Sequence, residues 1–316
     1  MEENQAPPPS PVEELARPPT PEEGGRRHSC GCGGTREDGE VHGCGCGGAS
    51  PASENRRSEV TPLYVYALGR IEPRLPSLGV EKEFAQATGR ASTADLTDRQ
   101  VLRTILSEPR NRYLARQMCY VFTVQGLDTY IVRPRDPVDL SLLIEALQEA
   151  PRATDLHVTI GLRGPIAPPD ACNGLMLPVV AFDQIYTFDS GSLVGALPKP
   201  DGIEEQPFRE AAEELLERVM HMTDNAGASD GHRALNYLVV RYPSIYAKTA
   251  ELFASDSSLT AIETRPSRLS GARNILDVIF SYTNRKVDVT EKYFVRVDVT
   301  EEFPFLVTKL SPYYDR

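Results

Sequence analysis

The segment Lys292-Tyr-Phe-Val-Arg-Val-Asp-Val299 alternates apolar and polar side chains with a period of two residues. Its three valines would share one face of a strand, and Arg296 and Asp298 would lie on the opposite face. This alternation predicts a strand in an antiparallel sheet that has one buried face and one face in water. Strand character recurs in the same part of the chain at 260–265, 275–282 and 305–310.

Three amphipathic segments precede these strands. The first begins with Pro207 at its first position and has an apolar stripe along one side. The second runs from about Asp230 to residue 242, where Pro243 ends it, and the third runs from Pro243 to about Ala254. A block of helices followed by a block of strands predicts an α+β unit over 207–316.

The preceding part of the chain, residues 62–197, predicts a second compact α+β unit, with residues 198–206 as a linker. The motif Thr97-Asp-Arg-Gln100 predicts the start of a helix because Gln100 lies three residues after Thr97. Strand patterns cover residues 63–68, 119–124, 129–132, 156–160 and 177–186, and helical patterns cover residues 80–88, 97–107 and 137–147. The predicted fold class is therefore α+β, in two units.

Residues 1–60 differ sharply from the rest of the chain in composition. They contain 8 Pro, 10 Gly and no aromatic residue. Such a segment buries too little apolar surface to offset the entropy of ordering, so we predict a disordered tail.

The whole chain carries a formal net charge of −11. No basic stripe suited to phosphates is visible, which argues against nucleic acid as a partner. The sequence contains no run of about 18 apolar residues, so we expect no membrane span. The acidic, Pro-rich start does not resemble a secretory signal, so we expect a cytoplasmic protein whose cysteines are thiols or metal ligands.

Four of the six cysteines lie in the tail, in two Cys-Gly-Cys-Gly-Gly clusters formed by Cys30, Cys32, Cys44 and Cys46. Four thiolates would suffice for a tetrahedral zinc site, although one residue between paired ligands is fewer than structural zinc sites usually have. Thiazole formation on the Gly-Cys segments and an exposed, redox-sensitive linker are the alternatives. Apart from zinc at this place, we expect no cofactor.

The remaining two cysteines lie in the predicted folded body. Cys119 begins an apolar strand, so we expect it to be a small buried side chain. Cys172 precedes Asn173-Gly174, a turn sequence, and we expect it to lie exposed in a loop.

Long sequence motifs in the body resemble the C-terminal region of PatG-type cyanobactin maturation proteins. They are Tyr64-Val-Tyr-Ala-Leu-Gly-Arg-Ile-Glu-Pro-Arg74, Ser77-Leu-Gly-Val-Glu-Lys-Glu-Phe-Ala-Gln86, Asn173-Gly-Leu, Phe182-Asp-Gln-Ile-Tyr186, Arg265-Pro-Ser-Arg-Leu-Ser-Gly271, Ile279-Phe-Ser-Tyr-Thr-Asn284 and the ending from Phe294 to Arg316. The resemblance covers roughly 62–316.

The resemblance implies a role in making ribosomally produced, modified peptides. Larger proteins of this type carry a subtilisin-like protease or macrocyclase domain before this region, which is itself known as a domain of unknown function. The chain offers no counterpart of the protease triad, so no catalytic residue is carried over. We expect a stand-alone version of the accessory region, without the protease domain.

Arg265, Arg268 and Arg273 cluster in a stretch rich in Gly and Ser. Guanidinium groups bind carboxylates through two parallel hydrogen bonds, so these three arginines are candidates for holding a peptide carboxylate or an acidic leader segment. The alternative is that they pair with the protein's own Asp and Glu side chains.

The sequence therefore predicts a non-catalytic accessory or recognition protein that binds a precursor peptide or a peptide-maturation enzyme. The edge of the second unit's sheet is a place where an extended peptide could add as a strand. Two alternatives stay open: an enzyme of unrecognised type acting on modified peptides, and a metal-binding regulator that uses the tail cysteines.

Overall fold

The computed structural model describes residues 63–89 and 95–314. Over these residues the chain forms eight α-helices and two sheets, so the predicted α+β class is confirmed. The predicted disordered tail at 1–60, with its four cysteines, lies outside the described residues. Within the described ranges, no helix is both long and apolar enough to cross a membrane.

The first half of the described chain mixes strands and helices. Its strands are β1 (Tyr64–Arg74), β2 (Cys119–Val124), β3 (Leu127–Pro134), β4 (Asp155–Ile166) and β5 (Pro178–Asp189). Its helices are α1 (Leu78–Thr88), α2 (Asp98–Ser107), α3 (Arg112–Gln117), α4 (Leu140–Ala146) and α5 (Ser190–Ala196).

The second half begins with three helices and continues as strands, in the predicted order. The helices are α6 (Glu205–Met220), α7 (Asp230–Arg241) and α8 (Ser244–Ala254). The strands are β6 (Ser257–Pro266), β7 (Ile275–Asn284), β8 (Thr290–Asp298), β9 (Phe305–Leu306) and β10 (Ser311–Pro312).

The predicted capping signature before α2 is present. The Thr97 hydroxyl accepts a hydrogen bond from the Gln100 main-chain N–H at 3.4 Å, and the Gln100 side chain accepts one from the Thr97 N–H at 2.9 Å. These reciprocal bonds satisfy main-chain groups that the first turn of a helix leaves unpaired.

The first five strands close into a barrel in the order β1-β2-β3-β5-β4, with β4 pairing back to β1. Strands β3 and β5 are parallel, and the other neighbours are antiparallel. Closure brings backbones very close at Gly161, where a Cβ atom would lie 2.3 Å from the Ala181 carbonyl oxygen. A register shift next to Gly161 bends β4 around the barrel.

Both faces of β2 are buried. Phe122 and Tyr120 point into the barrel core, which α1 to α4 cover. Cys119 and Val121 point outward and are covered by the segment 167–177, which connects β4 to β5. The fully buried pattern of β2 follows from this second cover.

The second half packs against the outer wall of the barrel. Its core contains apolar side chains of α6, α7, β7 and β8 together with Tyr66, Leu68, Val158 and Ile160 from the barrel strands. The Asn236 side chain of α7 donates a hydrogen bond of 2.8 Å to the Tyr66 carbonyl oxygen. From the sequence it was open whether the two predicted units share a core. Side chains from both halves form this core, and the described residues belong to one compact unit.

The predicted strand at 305–310 is shorter than expected. Only Phe305 and Leu306 form β9, and the chain then leaves the sheet and returns as β10. The Leu310 N–H donates to the Tyr242 hydroxyl at 2.9 Å, so a side chain of the helical layer replaces the strand partner at this point.

Two expectations about the cysteines of the body are wrong: that both are thiols or metal ligands, and that Cys172 lies exposed in a loop. Cys119 and Cys172 form a disulfide, with Cα atoms 5.6 Å apart, and Cys172 is only 3% exposed. The short 3₁₀ turn Pro169–Ala171 reverses the chain and places Cys172 against the outer face of β2. The burial expected for Cys119 is confirmed. Disulfides persist mainly in oxidising compartments, so this bond gives no support to the expected cytoplasmic location, which stays a prediction.

Candidate peptide-binding site

Strand β6 forms one edge of the second sheet, whose order is β10-β8-β7-β6. Among the described residues, β6 pairs with β7 alone. The first turn of α7 packs on one face of β6: a Cβ atom on Gly231 would lie 2.6 Å from the Thr264 hydroxyl oxygen. The strand is ten residues long, and its last three residues are exposed.

The hydrogen bonds of β6 alternate between its two sides. The Ser267 N–H donates to the Ile275 carbonyl oxygen at 2.8 Å. In an antiparallel ladder the directly bonded pairs alternate with unbonded ones, so Arg265 and Glu263 also bond to β7. The N–H and C=O groups of Ile262 and Thr264 therefore point away from β7, towards the open edge.

Two features restrict pairing at this edge. A register shift between Leu259 and Ala261 disturbs the start of β6, and Pro266 has no N–H to offer at its end. Natural proteins protect exposed edges with such features, so the accessible part of β6 is the short segment between them.

Charged side chains form a row across the open face of this sheet. Arg265, Asp277 and Arg296 are direct register neighbours on β6, β7 and β8. The Arg296 Nε donates to Asp277 Oδ1 at 2.9 Å and to Ser267 Oγ at 3.1 Å, and its guanidinium lies over the Phe294 ring. The half-exposed Arg265 guanidinium lies 2.6 Å from Glu263 Oε2.

The other two predicted arginines lie in the loop between β6 and β7. Arg268 is exposed in this loop. Arg273 lies beside Asp298: its Nε is 2.9 Å from Oδ2 of this carboxylate, which is almost completely buried. That oxygen has no well-directed hydrogen bond, so the contact is an ion pair. Two of the three arginines thus have a carboxylate partner within the protein, and peptide binding by the three stays a prediction.

A second charged cluster joins the barrel to the segment after β8. The Arg135 Nη1 lies 2.7 Å from Asp183 Oδ2 and 3.4 Å from Glu302 Oε2. Burial, followed by a hydrogen bond with Asp183, raises the pKa of Glu302 to about 7. Burial also raises the pKa of Asp183, but Glu302 and Arg135 outweigh it and leave this pKa below its usual value. The two carboxyl groups therefore share one proton near neutral pH.

The metal site predicted at Cys30, Cys32, Cys44 and Cys46 lies outside the described residues, so zinc binding there stays a prediction. Within residues 63–89 and 95–314, no group of three or more His, Cys, Asp and Glu side chains could hold a metal ion.

Comparison with known proteins agrees with the resemblance found in the sequence. Residues 202–313, which contain β6 and the charged row, match the family model described as PatG C-terminal. A solved structure described as "PatG Domain of Unknown Function" has a TM-score of 0.64 to this chain at 21% identity, and the match covers 79% of this chain and 98% of that one. No curated protein matches the sequence.

The chain therefore has the fold of the PatG domain of unknown function. The predicted resemblance to the C-terminal region of PatG-type proteins is confirmed. These comparisons show a shared fold and a sequence relationship over residues 202–313.

Proposed function

We propose that the folded body is a non-catalytic recognition protein in the maturation of ribosomally produced, cyanobactin-like peptides, and that it binds an extended precursor peptide along β6. The observation that carries the proposal is the open edge of β6 around Ile262 and Thr264, where main-chain donors and acceptors point away from β7. A peptide of almost any sequence could satisfy these groups, because an added strand bonds through its main chain. An accessory protein that handles peptides of variable sequence needs this kind of binding.

Two further features support a peptide at this edge. The match to the PatG C-terminal family model spans the whole sheet. The exposed Arg268 follows the end of β6, where it would attract a peptide that carries acidic side chains. The main chain would thus provide affinity, and the charge would favour one direction of the peptide.

A scan of N-methylated peptides tests the strand pairing. The probe is a synthetic, extended peptide with acidic side chains, made as a set in which one main-chain N–H at a time carries a methyl group. Each methyl group on an N–H that faces β6 removes one hydrogen bond and should weaken binding by about threefold to tenfold. Methyl groups at the intervening positions should have little effect. Uniform losses, or no binding of the unmethylated peptide, would refute strand addition.

A charge reversal tests the contribution of the loop. Arg268→Glu should weaken binding of an acidic peptide, with the larger effect at low salt. Arg116→Glu, at an exposed position on α3, is the matched control because it makes the same change of charge away from the sheet. Equal effects of the two variants would mean that net charge alone, and no contact near β6, governs the binding.

The alternative of an enzyme acting on modified peptides is favoured by one observation. Glu302, with its pKa near 7, is suited to donate and accept a proton at neutral pH. If the protein is an enzyme of this kind, incubation should change the mass of the peptide, and Glu302→Gln should abolish the change. The recognition proposal expects an unchanged peptide mass with both proteins.

A further inference from the structure

A cavity of about 170 Å³ lies on the side of the barrel, far in sequence from the PatG C-terminal match. Its wall is formed by β1, Arg99 of α2, the end of α4, the segment 148–153 and the start of β4. Six of its lining residues are ionisable: Arg70, Arg99, Arg152, Glu72, Asp155 and His157. The three arginines, separated by up to 82 positions, could not be recognised as a group from their spacing.

The three guanidinium groups have no carboxylate partner at ion-pair distance among the described residues. Arg70 donates to the Ala153 carbonyl oxygen, and the Arg99 Nε donates to the Gln148 carbonyl oxygen at 3.0 Å. These contacts fix the position of two guanidinium groups and leave several of their N–H donors available. The absence of ion pairs is notable because acidic side chains outnumber Lys and Arg by 11 in this protein.

Two carboxylates also line the cavity, and each has a contact of its own. Asp155 is buried, and its Oδ2 accepts a hydrogen bond of 2.6 Å from the Arg152 main-chain N–H. The half-exposed Glu72 lies 3.8 Å from the guanidinium of Arg74, a residue that does not line the cavity. Of the residues that line the cavity, three are arginines and two are carboxylates, so the lining has an excess of one positive charge. Asp189, which lies outside the lining, also attracts Arg152.

His157 contributes a neutral, fixed surface. It is 4% exposed; its Nδ1 accepts from the Ile71 N–H at 3.3 Å, and its Nε2 lies 3.0 Å from the Ala146 carbonyl oxygen. Because Nδ1 accepts, the ring proton is on Nε2, where it is donated to that carbonyl. Burial lowers the pKa of His157 and keeps the ring uncharged at neutral pH.

Arg99 is the most desolvated of the three guanidinium groups. It is half-buried, and burial lowers its pKa, with only Glu72 opposing the effect. Such a guanidinium has lost part of its hydration and has no anion beside it in the described part of the chain. An anionic ligand would therefore bind to it favourably, because charge–charge attraction is stronger away from bulk water.

We propose that this arginine-lined cavity is a binding site for a monoanionic carboxylate, such as the C-terminal group of a peptide or a small carboxylic acid. Guanidinium groups recognise the planar carboxylate through paired hydrogen bonds. The charge balance favours a single negative charge over a phosphate dianion, which the two carboxylates of the wall would repel. The volume suits the carboxylate and a few neighbouring atoms. This site is separate from β6, so it stands or falls independently of strand addition.

Calorimetric titration of the full chain tests the proposal. The probes are acetyl-Ala-Ala with a free C-terminal carboxylate, the same dipeptide as its amide, sodium acetate and inorganic phosphate. The free acid should bind and the amide should not. Binding of acetate as tight as that of the peptide acid would assign the site to small carboxylic acids, which also supports the proposal. Phosphate binding tighter than both carboxylates, or no heat from either carboxylate, would overturn it.

Variants locate the site. Arg99→Gln and Arg70→Gln should each weaken binding of the peptide acid by about tenfold or more, the effect of losing one charge-assisted hydrogen bond. Arg116→Gln, at an exposed position on α3 outside the cavity lining, is the control and should bind normally. Arg70 is exposed, so its replacement keeps the test valid even if Arg99→Gln unfolds the protein. Unchanged binding in folded Arg70→Gln and Arg99→Gln proteins would refute the assignment.

Discussion

Reduction of the Cys119–Cys172 disulfide should cost a large part of the stability of the barrel. The two residues are separated by 53 positions. In the chain-entropy account, a cross-link that closes a loop of this length destabilises the unfolded chain by about 4 kcal/mol at 25 °C. Small domains are stable by about 5–15 kcal/mol in total, so the loss should be easy to measure.

The assay is urea denaturation with and without a reductant, followed by circular dichroism. The wild-type midpoint should fall on reduction, whereas Cys172→Ala should already have the lower midpoint and should not respond to the reductant. Alanine keeps the position apolar in the cluster around Val121, so the variant mainly reports the loss of the cross-link. An unchanged wild-type midpoint, or two alkylatable thiols in the unreduced folded body, would refute the disulfide.

Three further changes test the fold and its charges. Gly161→Ala should destabilise the barrel by more than about 1 kcal/mol in urea denaturation, because its Cβ would overlap the Ala181 carbonyl oxygen; a neutral result would contradict the tight closure. Asn236→Ala should cost about 1–3 kcal/mol in the same assay, since it removes the hydrogen-bond donor of the Tyr66 carbonyl oxygen and of Asn225 Oδ1; a cost near zero would argue against this link between the two halves. The raised pKa of Glu302 means that its contribution to stability is fully present below its unfolded-state pKa and is lost as pH rises through about 7. Glu302→Gln should therefore be more stable than wild type at pH 8, with little difference at pH 5; parallel melting curves at all pH values would contradict the shared proton.

The sequence was informative where local chemistry determines the structure. The Thr97 capping box, the strand at 119–124 and the helix end before Pro243 all occur as predicted. Each depends on residues within a few positions of one another. The alternation in 292–299 likewise identified β8 correctly, because one face of that strand packs on the helices.

What could not be predicted depends on contacts between distant residues. Closure of the barrel requires β1 to pair with both β2 and β4, which are distant in sequence. In the sequence, nothing distinguishes Gly161, where two backbones approach closely, from other glycines. Cys119 and Cys172 meet only because the segment 167–177 folds over β2. An edge of the second sheet was predicted as a place for a peptide, but the sequence did not show that β6 forms that edge. It also did not show the register, which decides which main-chain groups point outward.

The central claim, that an extended peptide adds to β6 without being changed, is tested most directly by residue-resolved hydrogen exchange with and without the synthetic acidic peptide. Binding should slow exchange of the Ile262 and Thr264 N–H groups and leave those of Glu263 and Arg265, already bonded to β7, nearly unchanged. The mass of the peptide should stay the same. Protection without this alternation, no protection along β6, or a change in peptide mass would contradict the account.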